Sequence, residues 1–229
     1  MKIEEKLKAK YLYSSKSNFF KSLYFIFQYL KFKLKPRIIN ANWGIDMIVN
    51  DIFKNKKQGI FIDVGCHHPF INNNTYLLYK KGWRGINIDL DYNSIDMFNH
   101  FRPKDYNMQK AISKKKGLAD FYFFHNRAPK NTISKQSGKE AKIIKKIETD
   151  TLDNIIKKSN IKMKRIDFLS IDVEGNELNV LKGLNFKRYE PKIVVLEFID
   201  PRVKEFYYHK IEKIMKSELY KFMKKKKYN

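Results

Sequence analysis

Residues 166–186 read IDFLSIDVEGNELNVLKGLNF. A short apolar run, Ile166 to Ile171, leads into two carboxylates, Asp172 and Glu174. Gly175 follows, and Leu178, Leu181 and Leu184 then recur every third residue, as on one face of a helix. The order is strand, acidic turn, helix. In an open α/β sheet, turns at the carboxyl ends of strands form the ligand crevice. On an extended turn Asp172 and Glu174 are aimed the same way, and there they can hold a hydroxyl, a metal ion or a cationic ligand. The simpler alternative is an acidic helix start favoured by the macrodipole.

The same alternation extends to either side. Ile60 to Val64 predicts a strand closed by Gly65, Thr75 to Lys81 a helix closed by Gly82, and Ile86 to Leu90 the next strand. From Ile60 to Leu90 is 31 residues, the length of one βαβ unit. Ser94 to Phe101 supplies the next helix, Met108 to Ser113 a third strand, and Gly117 to Phe124 an extra strand of high β propensity. Residues 125–146 are polar, lysine-rich and aperiodic, which suits a loop or lid. Thr149 to Lys158 predicts a helix with Asp150 as its N-cap. Lys192 to Ile199 makes the fifth core strand, passing through Glu197, and Val203 to Lys227 is mostly helical and basic. The expected fold class is α/β, a mainly parallel, doubly wound sheet with helices on both faces.

The chain has 229 residues, enough for one well-buried domain with an appendage. Residues 1–42 form an N-terminal basic-aromatic helical extension, and 43–229 the main domain. Within the extension, residues 19–33 are strongly apolar but carry three lysines, short of the ~20 apolar residues that span a bilayer. This segment is a helix packed on the core, or one with peripheral contact to an anionic membrane; Pro36 ends it. Cys66 is the single cysteine, which excludes an internal disulfide and suits a reducing, cytoplasmic setting. The net charge of +24 invites a nucleic-acid partner. Two features weaken that inference: 41 of the 48 basic residues are lysine rather than arginine, and they are spread along the whole chain.

Asp63-Val64-Gly65 ends the first strand, and glycine there allows close backbone approach to a nucleotide or nucleoside. The residues that follow, Cys66, His67, His68, Pro69 and Phe70, lack the further glycines of a dinucleotide fingerprint. A nucleoside ligand without phosphate does not need them, and S-adenosylmethionine is the commonest such cofactor on this architecture. Asp89, at the end of the second strand, is placed to accept ribose hydroxyls, with Asp91 as an alternate. His67 and His68 lack companions at metal-ligand spacing, so no metal site is assigned to them; His68 is a candidate general base.

Four blocks together resemble the FkbM family of S-adenosylmethionine-dependent methyltransferases: FIDVGCHHPFINNNTYLLYKKGWRGINIDLD (61–91), AIS (111–113), TDTLDNII (149–156), and 166–186 with PKIVVLEF (191–198). NWGIDMIVNDIF (42–53) is similar to the family's lead-in. The resemblance implies a Rossmann-like class I fold that methylates oxygen, commonly a sugar hydroxyl of a glycan. By position it places Asp63 and Gly65 at the methionine end of the cofactor, with Asn74 and Thr75 on the adjoining loop. Asp89 would hold the ribose, Ala111 and Ile112 would flank the adenine, and Asp172 and Glu174 would lie on the acceptor side. A sugar hydroxyl is a weak nucleophile, so Asp172 or Glu174 is the catalytic residue expected to accept its proton, directly or through Mg²⁺, which the acidic pair permits. The family's closing antiparallel hairpin is missing from the sequence, which would expose the edge of the fifth strand. The rivals are an RNA methyltransferase, a non-catalytic basic nucleic-acid-binding protein, and a dehydrogenase, which the missing glycines disfavour. Against methylation of a base nitrogen, the turn reads Asp-Val-Glu-Gly rather than the Asn/Asp-Pro-Pro-aromatic turn of enzymes that grip a planar amine.

Overall fold

Side-chain alternation along the strands sets the architecture. A computed structural model describes residues 3–13, 17–34, 38–126, 128–135, 137–198 and 211–228. Helices α1 (Ile3–Tyr13) and α2 (Ser17–Leu34) come first, then a short 3-10 turn (Asn42–Gly44) and α3 (Ile45–Ile52). The alternating region runs β1 (Ile60–Val64), α4 (Tyr76–Lys80), β2 (Arg84–Asp89), α5 (Tyr92–Phe101) and β3 (Tyr106–Gln109). Three strands follow, β4 (Ala111–Ile112), β5 (Gly117–Phe123) and β6 (Ile143–Asp150). The chain then returns through α6 (Leu152–Lys158), β7 (Phe168–Ile171), α7 (Glu177–Lys182), α8 (Phe186–Tyr189) and β8 (Ile193–Leu196). Helices α9 (Ile211–Lys216) and α10 (Glu218–Lys225) come last among the described residues.

Strands β3-β2-β1-β7-β8 form a parallel sheet in that order. The order reverses between β1 and β7, which is where ligands bind in such sheets. Phe61 and Phe168 turn to one face and pack with Val49, Phe53, Leu78 and Trp83 of α3, α4 and the turn after α4. Ile62, Val64, Leu169 and Ile171 turn to the other and pack with Leu152, Ile155, Val180 and Leu181 of α6 and α7. With helices on both faces, this is the doubly wound, Rossmann-like fold expected.

Two local expectations differ from the structure. The predicted third strand is split at Lys110: Tyr106–Gln109 joins the main sheet, while Ala111–Ile112 opens a second sheet of order β4-β6-β5. The stretch taken as loop and helix start, residues 143–150, is instead β6, paired antiparallel with β5. Its Ile143, Ile144, Lys145 and Lys146 are all exposed, so no core-facing periodicity marks it. The helix therefore begins later, and its cap is Thr151, whose hydroxyl accepts Asn154 N–H at 3.2 Å, rather than Asp150. Residues 199–210, which include the last residue of the fifth-strand segment and the first eight of the basic helical region, lie outside the described residues.

On the α4–α5 face the sheet carries a polar row. Register places Asn107, Asn87, Asp63 and Ser170 side by side on neighbouring strands. Buried polar groups need partners, and the loops supply them. Asp63 accepts hydrogen bonds from Asn73 Nδ2 at 3.0 Å and Thr75 Oγ1 at 3.1 Å. Arg102, 1% exposed, donates to Thr75 Oγ1 at 2.9 Å, to Asn73 Oδ1 at 2.8 Å and to the Pro69 carbonyl. Its guanidinium also lies over the rings of Phe98 and Tyr79, at 5.0 and 4.9 Å. Burial pushes the Asp63 carboxyl up to about 6, against the opposing pull of the Arg102 guanidinium. Arg102→Met should destabilise the protein by about 3–5 kcal/mol in urea denaturation, because it strands a buried carboxylate. Arg102→Lys should recover little of this, since lysine lacks the fork that reaches three acceptors.

Candidate active site

The ladder of the main sheet continues one residue past the central strands. Gly65 N–H donates to Ile88 O at 2.8 Å, Asp172 N–H to Val64 O at 2.9 Å and Glu197 N–H to Ile171 O at 3.0 Å. Asp89, Gly65, Asp172 and Glu197 therefore form one row across the carboxyl edge of the sheet. Gly65 is the gap in it. With φ +84°, it brings its Cα so near the next turn that a Cβ would lie 1.7 Å from the Asp172 carbonyl oxygen.

A cavity of about 170 Å³ opens over this row. Gly65, Asp89, Ala111, Ile112, Asp172 and Glu174, all singled out in the sequence, line it together. The Asp89 carboxylate is oriented by backbone N–H groups, from His67 to Oδ2 and from Asp91 to Oδ1, both at 2.8 Å. Asp91 is also in the wall and caps α5, accepting Asn93 N–H at 2.8 Å. Ser94, on the first turn of that helix, was not legible as a site residue. Its hydroxyl is fully buried in the cavity wall with no hydrogen-bond partner among the described residues. With the cradle at Gly65 and the Asp89 carboxylate, it makes this half of the cavity fit a nucleoside.

The other candidates are placed elsewhere. Asp63, Asn74, Thr75 and His68 are not among the residues that line the cavity. Asp63 and Thr75 belong to the Arg102 network beneath it, and Asn74 donates to Ser170 Oγ at 3.0 Å. His68 is buried, its Nδ1 facing the N–H groups of Phe70 and Ile71 at 3.3 and 3.2 Å. These residues brace the loop that follows β1.

On the other half of the cavity, the acidic turn is held by its own helix and by the loop between β5 and β6. Glu177 Oε1 accepts the N–H groups of Val173 and Gly175 at 3.1 and 3.0 Å. Thr132 Oγ1 meets the carbonyls of Val173 and Glu174 at 3.1 and 3.0 Å. Glu174 and Gly175 both take positive φ, +56° and +94°, so the turn holds Glu174 in a conformation rare for a non-glycine residue. Glu197 joins the pair: one oxygen from each of Asp172, Glu174 and Glu197 lies within 4.8 Å of the others. The sequence signal for Glu197 was its position as the first residue past the apolar run of β8, matching Asp172 past β7.

Crowding these carboxylates in a water-poor cleft disfavours their ionised forms. Burial first, then the charges of Asp172 and Glu177, raise Glu174 to about 7. Burial, then Asp172 and Glu174, push Glu197 up to about 9. Asp172 faces the open cleft, yet burial among the surrounding walls still raises it, opposed by a hydrogen bond from Glu197. At neutral pH the cluster therefore retains at least one proton, held between Asp172 and Glu197.

Two measurements follow from this geometry. Gly65→Ala should destabilise the fold by at least about 2 kcal/mol in urea, because the added Cβ meets the Asp172 carbonyl; unchanged stability would rule out the close approach. Because the folded pKa values lie above the ordinary 4.5 of glutamate, the native state binds more protons than the unfolded chain between these limits. Stability contributed by the protonated groups is thus lost as pH rises above about 4.5, the loss ending at about 7 for Glu174 and at about 9 for Glu197. The melting temperature should fall over that range, and Glu197→Gln should flatten the fall.

No curated protein and no solved structure matches the chain. The model of the methyltransferase FkbM domain matches residues 63–222, a span that begins in β1, takes in every strand of both sheets thereafter and contains the whole acidic turn. The doubly wound sheet, the cavity at its switch point and this match agree, and the chain belongs to the FkbM family of methyltransferases.

Proposed function

We propose that the protein transfers a methyl group from S-adenosylmethionine to a hydroxyl oxygen, the acceptor being a sugar of a glycan or glycoconjugate. The observation that carries this is the division of one cavity into two chemistries across Gly65. Asp89 and Ser94 stand on the side suited to a nucleoside, and Asp172 and Glu174, with Glu197 clustered beside them, on the side suited to hydroxyls. S-adenosylmethionine, when bound, supplies a sulfonium methyl open to in-line attack.

The residues of this chain do the rest. A sugar hydroxyl is a weak nucleophile, so its proton must go to a base near its own path. Glu174, at about 7, is a base matched to neutral pH. Glu197, at about 9, is protonated there and serves as a hydrogen-bond donor to Asp172 or to a sugar oxygen. The Asp172 backbone, tied to Val64, keeps the carboxylates in fixed register with the cofactor side. Such alignment contributes several kcal/mol to a two-substrate reaction. The ionised carboxylates of this cluster also repel a phosphate backbone, which favours an uncharged acceptor over RNA. Their oxygens suit a hard divalent ion such as Mg²⁺, which Asp172, Glu174 and Glu197 would hold and which would polarise the acceptor hydroxyl.

Incubation with methyl-labelled S-adenosylmethionine and a panel of glycosides should yield base-stable methyl ethers. Label found only in base-labile esters, or only in added RNA, would sink the assignment. Glu174→Gln should lower the rate by about a hundredfold or more while calorimetric binding of S-adenosylmethionine is largely retained.

A further inference from the structure

Helix α2 is apolar on two opposite sides. Its inner side packs on the domain: Tyr24, Phe25 and Gln28 are buried, and the Phe25 ring lies tilted against that of Phe101 of α5, 5.6 Å between centres. Lys21 pairs with Asp96 at 3.0 Å, and Phe32 meets Phe70 at 4.6 Å between ring centres. The helix is thus seated firmly on the fold. On the outer side stand Phe19, Leu23, Ile26, Leu30 and Leu34. Their spacings of four, three, four and four residues bring them onto one narrow line, roughly 22 Å long at 1.5 Å per residue. All five are exposed, from 37% at Leu23 to 80% at Leu34.

A helix seated on a globular core ordinarily carries one apolar stripe, with polar residues opposite. Here a second stripe takes the place of that polar face, and no described residue covers it. It lies outside the family match, which starts at residue 63, so the methyltransferase domain does not account for it. No helix among the described residues is long and apolar enough to cross a membrane.

Charge identifies the occupant. Residues 1–42 hold ten basic and two acidic side chains. Lys33 borders the stripe, its Nζ 5.5 Å over the Tyr29 ring, and Lys6 and Lys10 are exposed on the partner helix α1. A second copy of the chain would bring an equal positive excess against this face. An anionic bilayer instead supplies an apolar interior for the stripe and negative headgroups for the lysines. We propose that the outer stripe of α2 seats the protein flat on an anionic lipid surface, with Phe19, Leu23, Ile26, Leu30 and Leu34 entering the boundary between headgroups and acyl chains.

Vesicle flotation of the full chain tests this. Binding is expected to vesicles containing phosphatidylglycerol, weakly or not at all to pure phosphatidylcholine, and less as salt is raised. A variant combining Leu23→Ser, Ile26→Ser and Leu30→Ser should keep its melting temperature and bind about tenfold or more weakly. Lys10→Glu with Lys33→Glu should weaken binding while leaving the stripe intact. Failure to float with anionic vesicles, or undiminished binding by both variants, overturns the proposal. So does a dimer in light scattering that the serine variant dissociates when the parent chain does not bind vesicles; the stripe would then belong to a second copy.

Discussion

The close contact of Gly65 with the Asp172 carbonyl is the constraint on which the rest of the site depends. Two hydrogen bonds pin the end of β1, one to β2 through Gly65 N–H and one to β7 through Val64 O. Only a residue without a side chain, at positive φ, fits between them. The absent side chain does two jobs at once. It lets the strand ends stay in register for one more residue, and it leaves the floor of the cavity open at the middle of the row. Asp89 is thereby separated from the acidic cluster by a gap rather than by another side chain, and the cavity acquires two halves of different chemistry.

The acidic half is held together against its own electrostatics. Asp172, Glu174 and Glu197 are forced close by backbone geometry: two follow adjacent strands, and the third sits on a turn clamped by Glu177 and Thr132. Their mutual repulsion and loss of water appear as raised proton affinity. This is a destabilising arrangement that the surrounding fold overdetermines, and such arrangements gather at functional sites. Beneath it the Arg102 network does the opposite. There every carboxylate has a cation or several donors, and its residues brace the loop without reaching the cavity.

The acidic turn was legible because a strand, two carboxylates and a helix follow one another within a few residues, and local spacing alone places them. The ends of β1 and β2 were legible on the same ground. Asp63 shows the limit of that reasoning. It stands near the end of a strand, yet it lies two residues before Gly65 and turns into the polar row under α4, where Asn73 and Thr75 engage it. Strand β6 escaped notice because a strand exposed at its start carries no buried alternation, and its conformation comes from pairing with β5. Ser94 looked like an ordinary helix residue, and only its burial without a partner singles it out.

By itself the sequence determined the alternation of strands and helices, hence a doubly wound α/β sheet, and it marked the residue that follows each apolar run. Only the tertiary structure decided which of those residues become neighbours. Asp89, Gly65, Asp172 and Glu197 come from four segments spread over more than half the chain. Parallel strands are joined by crossovers, so β1 reaches β2 only across a helix and reaches β7 only across both sheets' intervening strands, and neither pairing leaves a trace in local periodicity. Strand order and register are settled by how the two helical layers pack on the sheet, and that packing turned a set of strand ends into a site.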